Sequence, residues 1–218
     1  MEKAMGKIMT AAAETRAVAG TMTNFRWKIA FLIFLISFVA YMDRVNLSVA
    51  TPVIMQEFGF TKIDMGFIQT CFFASYALMQ VPGGILAEKF GMRKTGALAI
   101  LWWSVFTALT ALAKGKISFA AVRLAFGIGE GPVFPSLGAA TFTWFNKHEK
   151  GKASSSILLG TFFGPVVGPV ATVALMGLFG WHAVFIIFGL VGVALAWVWH
   201  RFACDNPDRK STRLNSSH

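Results

Sequence analysis

Charge is what this sequence lacks most. Only 14% of its 218 residues are Asp, Glu, Lys or Arg, where a soluble domain carries about 25%. That deficit, with 56% hydrophobic residues and a mean hydropathy of +0.61, argues against a soluble globular fold. Cysteine is nearly absent too: Cys71 and Cys204 are the only two. They read as free thiols and leave no disulfide or metal-binding framework. No His/Cys cluster has metal-ligand spacing, and no local motif points to a Ser/His/Asp set. An intramembrane enzyme is therefore set aside, and no cofactor or metal is expected. Residues Met1–Thr23 show no long apolar core and no cleavage pattern, so they read as a polar tail rather than a signal peptide.

What is present is apolar and aromatic, with seven Trp and 22 Phe. Six apolar segments emerge near Trp27–Ala50, Met65–Ala87, Thr95–Ala113, Ile117–Phe145, Ala153–Gly177 and Trp181–Phe202. Each is long enough to cross a ~30 Å hydrocarbon core as a helix of about 20 residues. The sequence thus predicts an all-α membrane protein, with short connections joining antiparallel neighbours. Lys3, Lys7, Arg16, Arg26, Lys28, Lys89, Arg93, Lys94, Lys147, Lys150, Lys152 and Arg201 fall on one side; Lys62, Lys114 and Lys116 fall on the other. Twelve against three places both termini in the cytoplasm. The net charge of +10 is spread over these short loops, so it is no nucleic-acid signature. Residues 1–26 are expected to form a cytoplasmic tail and 27–207 the membrane bundle. Asp208–His218 back-translates to a standard short-read sequencing adapter, and is expected to be a read-through artefact.

Several charges lie inside the apolar segments. Arg123 and Glu130 stand seven residues apart, close to two helical turns, so they point the same way. A charge at membrane depth costs at least ~2.5–3.5 kcal/mol, so each must face a protein interior or a wet cavity and find a partner. Gly127 and Gly131 share that face, and Pro132 and Pro135 interrupt it. This is how a transport pathway looks in sequence. Asp43 and Arg44 are adjacent, diverging by ~100°, so each must meet a different neighbour; the alternative places both at the outer end of a shorter helix. The third segment has Trp102 and Trp103 but no charge, and reads as scaffold. In the fifth, Gly160, Gly164 and Gly168 predict a tight seam, and Thr161, one turn before Pro165, is expected to face the pathway. Trp181 reads as an aromatic-belt residue.

The run Gly84-Ile-Leu-Ala-Glu88-Lys-Phe-Gly91-Met-Arg93-Lys94 resembles the signature loop between helices two and three of the major facilitator superfamily. Tyr41-x-Asp43-Arg44-x-Asn46, Tyr76, and Arg123-x-x-x-Gly127-x-x-Glu130-Gly131-x-x-x-Pro135 together resemble its anion:cation symporter family, which includes hexonate and glucarate transporters. The resemblance implies a twelve-helix fold of which this chain supplies the N-terminal six-helix bundle, needing its C-terminal half for transport. It implies proton-coupled symport of an organic anion such as a sugar acid, in a bacterial inner membrane. Arg123 would bind the carboxylate, with Arg44, Tyr41, Tyr76, Asn46 and Thr161 lining the site. Asp43 and Glu130 would couple protons; Gly84, Glu88, Arg93 and Lys94 would form a conformational latch. The competing class is a non-transporting six-span component or receptor.

Overall fold

The computed structural model describes the backbone of residues 2–205 and the side chains of residues 25–205. The adapter-like stretch Asp208–His218 lies outside the described residues. Helix α1 spans Glu2–Phe58, α2 Lys62–Phe90, α3 Met92–Thr110, α4 Lys116–Glu130, α5 Val133–Trp144 and α6 Lys150–Phe202. There is no helix boundary at residues 26–27, where the tail was expected to end, because α1 begins at Glu2.

Local chemistry sets several of these ends. Thr61 caps α2 in a reciprocal box with Asp64: its hydroxyl accepts the Asp64 N–H at 3.2 Å, and Asp64 Oδ2 accepts the Thr61 N–H at 2.9 Å. Gly91 turns the chain between α2 and α3 at φ 85°, a left-handed value that glycine tolerates and other residues rarely adopt. Pro132 and Pro135 each lack the N–H that would bond back four residues, and the helix is interrupted at Gly131–Pro132, between α4 and α5. A straight α6 of 53 residues would run ~80 Å, far beyond a ~30 Å core. Gly180, at φ 79° and ψ 166°, breaks it into limbs 150–179 and 181–202.

Glycines bring the helices together. A side chain at Gly160 would meet Phe34 O at 2.6 Å, and one at Gly164 would meet Tyr41 Cβ at 2.7 Å, so the first limb of α6 lies directly on α1. Gly189 places the second limb against Ala108 of α3, and Gly129 sets α4 against Trp103 N of α3 at 2.9 Å. Gly127 and Gly131 face Phe72–Met79 of α2, so the shallow face predicted on α4 is filled by a helix.

Two large apolar clusters result among the described residues, with a smaller one of Met42, Val184 and Phe188. One gathers Ile33, Ile36, Phe72, Trp103, Phe126 and Trp199; the other gathers Leu47, Ile54, Ile68, Phe119, Trp181 and Phe185. Trp181 is 3% exposed and its indole N–H donates to Glu57 Oε2 at 2.7 Å, so it is a core residue rather than the expected belt residue. Outside, Leu78, Phe162 and Leu190 are well exposed. Four helical stretches are long and apolar enough to cross a membrane among the described residues: Phe25–Phe58, Lys62–Phe90, Lys116–Trp144 and Lys150–Phe202. An apolar exterior on such helices marks a multi-pass membrane protein.

Candidate functional site

On α1 the charged pair follows Ala40 of the first cluster and precedes Leu47 of the second; on α4 Arg123 lies between Ala120 and Phe126. The charges thus form a band between two apolar layers. Asp43 is 1% exposed, Arg123 2% and Glu130 0%. The helix runs on to Phe58, so Asp43 and Arg44 do not end a short span.

Their ~100° divergence sends them to different partners, as expected. Arg44 Nε donates to Glu130 Oε1 at 2.8 Å, an ion pair that ties α1 to α4. The Arg44 guanidinium lies 4.6 Å from the Tyr41 ring centre and 4.4 Å from that of Tyr76. Tyr41 meets Phe134 edge-on at 5.9 Å, which completes an aromatic collar around the cation. The collar is open, since the Arg44 side chain stays 15% exposed.

Asp43 turns inward. Trp103 Nε1 donates to its Oδ2 at 3.0 Å and Asn46 Nδ2 donates to its Oδ1 at 3.4 Å. Thr107 Oγ1, 3.4 Å from Oδ2, shares its single proton between Asp43 and the Trp103 carbonyl. Asn46 in turn accepts from Thr172 Oγ1 at 2.5 Å. A chain of hydrogen bonds therefore links α6, α1 and α3 through one carboxylate. Trp103 belongs to this polar centre, which corrects the reading of the third segment as scaffold alone.

Arg123 feels both Asp43 and Glu130 electrostatically. It makes no ion pair within 4.0 Å among the described residues, and its Nε is buried without a hydrogen-bond partner. Its guanidinium sits 5.1 Å from the Phe126 ring centre and 5.6 Å from that of Phe185. Glu130 Oε2 and Arg44 Nη2 are likewise buried and unpaired. Buried polar groups are almost always satisfied, and these three unpaired atoms belong to groups that interact electrostatically through Glu130.

Thr161 does not join this group. Its hydroxyl donates to Leu158 O at 2.8 Å on its own helix. The residue of that limb that reaches the centre is Thr172, which continues the row Gly160, Gly164, Gly168 at four-residue intervals onto the face against α1.

In the signature loop, the close approach within the bundle is at Gly83, where a side chain would meet Pro132 Cα at 2.5 Å; at Gly84 it would meet only Pro135 Cβ at 3.9 Å. Glu88 and Lys94 are exposed. Arg93 donates through Nε to His200 O at 2.7 Å, and its backbone N–H donates to Asp205 Oδ1 at 2.9 Å. Asp205 thus caps the start of α3 from the end of α6, a pairing with no local sequence signal.

Residues 33–217 match the family described as Major Facilitator Superfamily. The chain is 34% identical over 191 residues to the probable galactarate/D-glucarate transporter of Bacillus subtilis, covering 83% of this chain and 41% of that protein. It is also 34% identical over 176 residues to the D-galactonate transporter of Escherichia coli O6:H1, covering 81% of this chain and 41% of that one. The chain spans about two fifths of the length of these relatives. A bacterial homologue of the human lysosomal transporter Spinster, solved inward-facing and unoccupied, superposes with a TM-score of 0.75 at 21% identity. That likeness covers 84% of this chain and 44% of the solved one, and shows the fold. With the family match spanning most of its length, this chain belongs to the Major Facilitator Superfamily.

Proposed function

We propose that this chain is the N-terminal, six-crossing half of a twelve-crossing symporter for a carboxylate such as a sugar acid. Helix lengths support six crossings: α1 to α3, α4 with α5, and the two limbs of α6 each span at least most of a ~30 Å core at 1.5 Å per residue. The excess of Lys and Arg in loops on one side supports cytoplasmic termini, and a bacterial inner membrane is the proposed setting.

The observation that carries the reading is the Arg44–Glu130 pair, with unpaired Arg123 as the second cation of the band. An arginine fork grips a carboxylate through two parallel hydrogen bonds. Arg123 anchors the substrate carboxylate, while Arg44, Tyr41 and Tyr76 line the approach. Glu130 holds Arg44 while ionised. A proton on Glu130 weakens that hold and frees Arg44 for the anion, so proton and substrate move together. Asp43 is the second coupling acid, its charge felt by α3 through Trp103 and by α6 through Asn46 and Thr172. Glu88, Arg93 and Lys94 form the cytoplasmic latch, and Gly84 receives a helix of the C-terminal half.

Uptake of galactarate and galactonate by the complete transporter in proteoliposomes, with and without a pH gradient, tests this reading. The expected result is gradient-driven accumulation, with Glu130→Gln keeping substrate exchange but losing accumulation. Unchanged concentrative uptake by Glu130→Gln refutes the coupling role, and absence of uptake of any organic anion refutes the transport reading.

A further inference from the structure

Away from the charged band, α2, α3 and the α4–α5 junction enclose a groove of about 450 Å³. Leu86, Phe90, Leu98, Trp102 and Pro132 make its walls, and Lys94 stands on its rim. Its few polar groups are already engaged. The Thr95 hydroxyl donates to Leu86 O at 3.0 Å, and Trp102 Nε1 donates to Ala125 O at 2.8 Å. What remains is an apolar trough with a cation at one end. Lys94 is exposed and has no ion pair among the described residues. Lys89 adds a second cation there, its Nζ 5.7 Å from the Phe90 ring centre; the exposed acids nearby are Glu88 and Asp205, and Asp205 is already engaged by the Arg93 N–H.

We propose that this groove binds one acyl chain of an anionic phospholipid, with the lipid phosphate on Lys94. The dimensions fit. Lys94 to Trp102 is eight residues, about 12 Å along α3, most of the ~15 Å that one leaflet contributes to a ~30 Å core. The charge fits as well, because basic residues at the membrane surface attract anionic headgroups. A sugar acid does not fit, since the walls have no free hydroxyl, amide or amine to read its hydroxyl groups. The floor includes Gly129 and Pro132, so a bound chain touches the place where α4 gives way to α5. The lipid thereby props the break beside Glu130, and membrane composition reaches the charged band through it.

Native mass spectrometry of the complete transporter in mild detergent, with phosphatidylglycerol and phosphatidylcholine of identical acyl chains, tests the proposal. One surface lysine is worth about a five-fold preference for an anionic lipid. The chain should retain phosphatidylglycerol over phosphatidylcholine by about that factor. Lys94→Gln should bring the ratio close to one, and Lys152→Gln, an exposed lysine on α6, should leave it intact. Leu98→Trp, which fills the trough from an exposed position, should lower retention of both lipids. Equal retention by the unaltered chain overturns the proposal. So does a preference that survives Lys94→Gln, one that falls equally with Lys152→Gln, or retention unaffected by Leu98→Trp.

Discussion

The α4–α5 junction and the first limb of α6 are built from the same dipeptide and behave differently. Gly131–Pro132 interrupts a helix, whereas Gly164–Pro165 and Gly168–Pro169 sit inside one that continues. A missing N–H is common to all three, so tertiary contacts decide the outcome. Pro132 is pressed onto Gly83 of α2, and Gly131 onto Met79, which fixes the chain in its broken course. In α6 the glycines lie along α1 in a regular row, with Gly164 on Tyr41 and Gly168 on Met42, and the helix runs on through both prolines. The second difference is charge. The junction follows Arg123 and Glu130, whereas residues 153–179 carry no charge at all. Glycine and proline mark close approach in both regions, and only the buried charges distinguish the junction from the seam.

Substitutions can break this contrast or sharpen it. The largest effect is expected at Arg44→Leu, which strands the wholly buried Glu130 carboxylate and should cost about 3–5 kcal/mol of unfolding free energy. The double variant Arg44→Leu/Glu130→Leu should recover much of that loss, and a double-mutant cycle in detergent measures the coupling. Simple additivity would remove the ion pair from the account. Next comes Trp103→Phe, which takes a donor from the buried Asp43 carboxyl and should cost roughly 1–3 kcal/mol in the same unfolding assay. A neutral result would make Trp103 filler.

On the seam side, Gly164→Ala forces a methyl group to within 2.7 Å of Tyr41 Cβ and should cost about 1–3 kcal/mol. Gly138→Ala, with open space around it, should be neutral or slightly stabilising by comparison of thermal midpoints. If the two behave alike, the seam is looser than drawn. Among the variants that remove a contact, the smallest loss is expected at Asp205→Ala, about 0.5–2 kcal/mol for loss of a helix cap. It should register as faster hydrogen exchange confined to the first turn of α3.

Much of this was legible in the sequence, for a physical reason: a charge in an apolar segment is rare enough to need a purpose. Asp43, Arg44, Arg123 and Glu130 stood out on that ground, and all four lie in one band. Which acid meets which base was not legible, because helical geometry gives an azimuth but not the neighbour. Glu130 takes Arg44, and Asp43 is occupied by Trp103 and Asn46. Trp103 was passed over because uncharged residues draw no attention in an apolar run. The four-residue glycine row leads on to Thr172, which reaches Asn46, while the Thr161 hydroxyl bonds to Leu158 O of its own helix. Asp205 at the head of α3 lies 112 residues from its partner Arg93, beyond the reach of any local pattern.

The central claim is that the band is a carboxylate site rather than a structural ion-pair network, and Arg123→Lys tests it most directly. Lysine keeps the charge but loses the planar fork. The measurement is substrate affinity of the complete transporter carrying Arg123→Lys, set beside its thermal stability in detergent. The account predicts a folded, membrane-inserted protein that has lost carboxylate binding. Tight binding by a well-folded Arg123→Lys variant would contradict it.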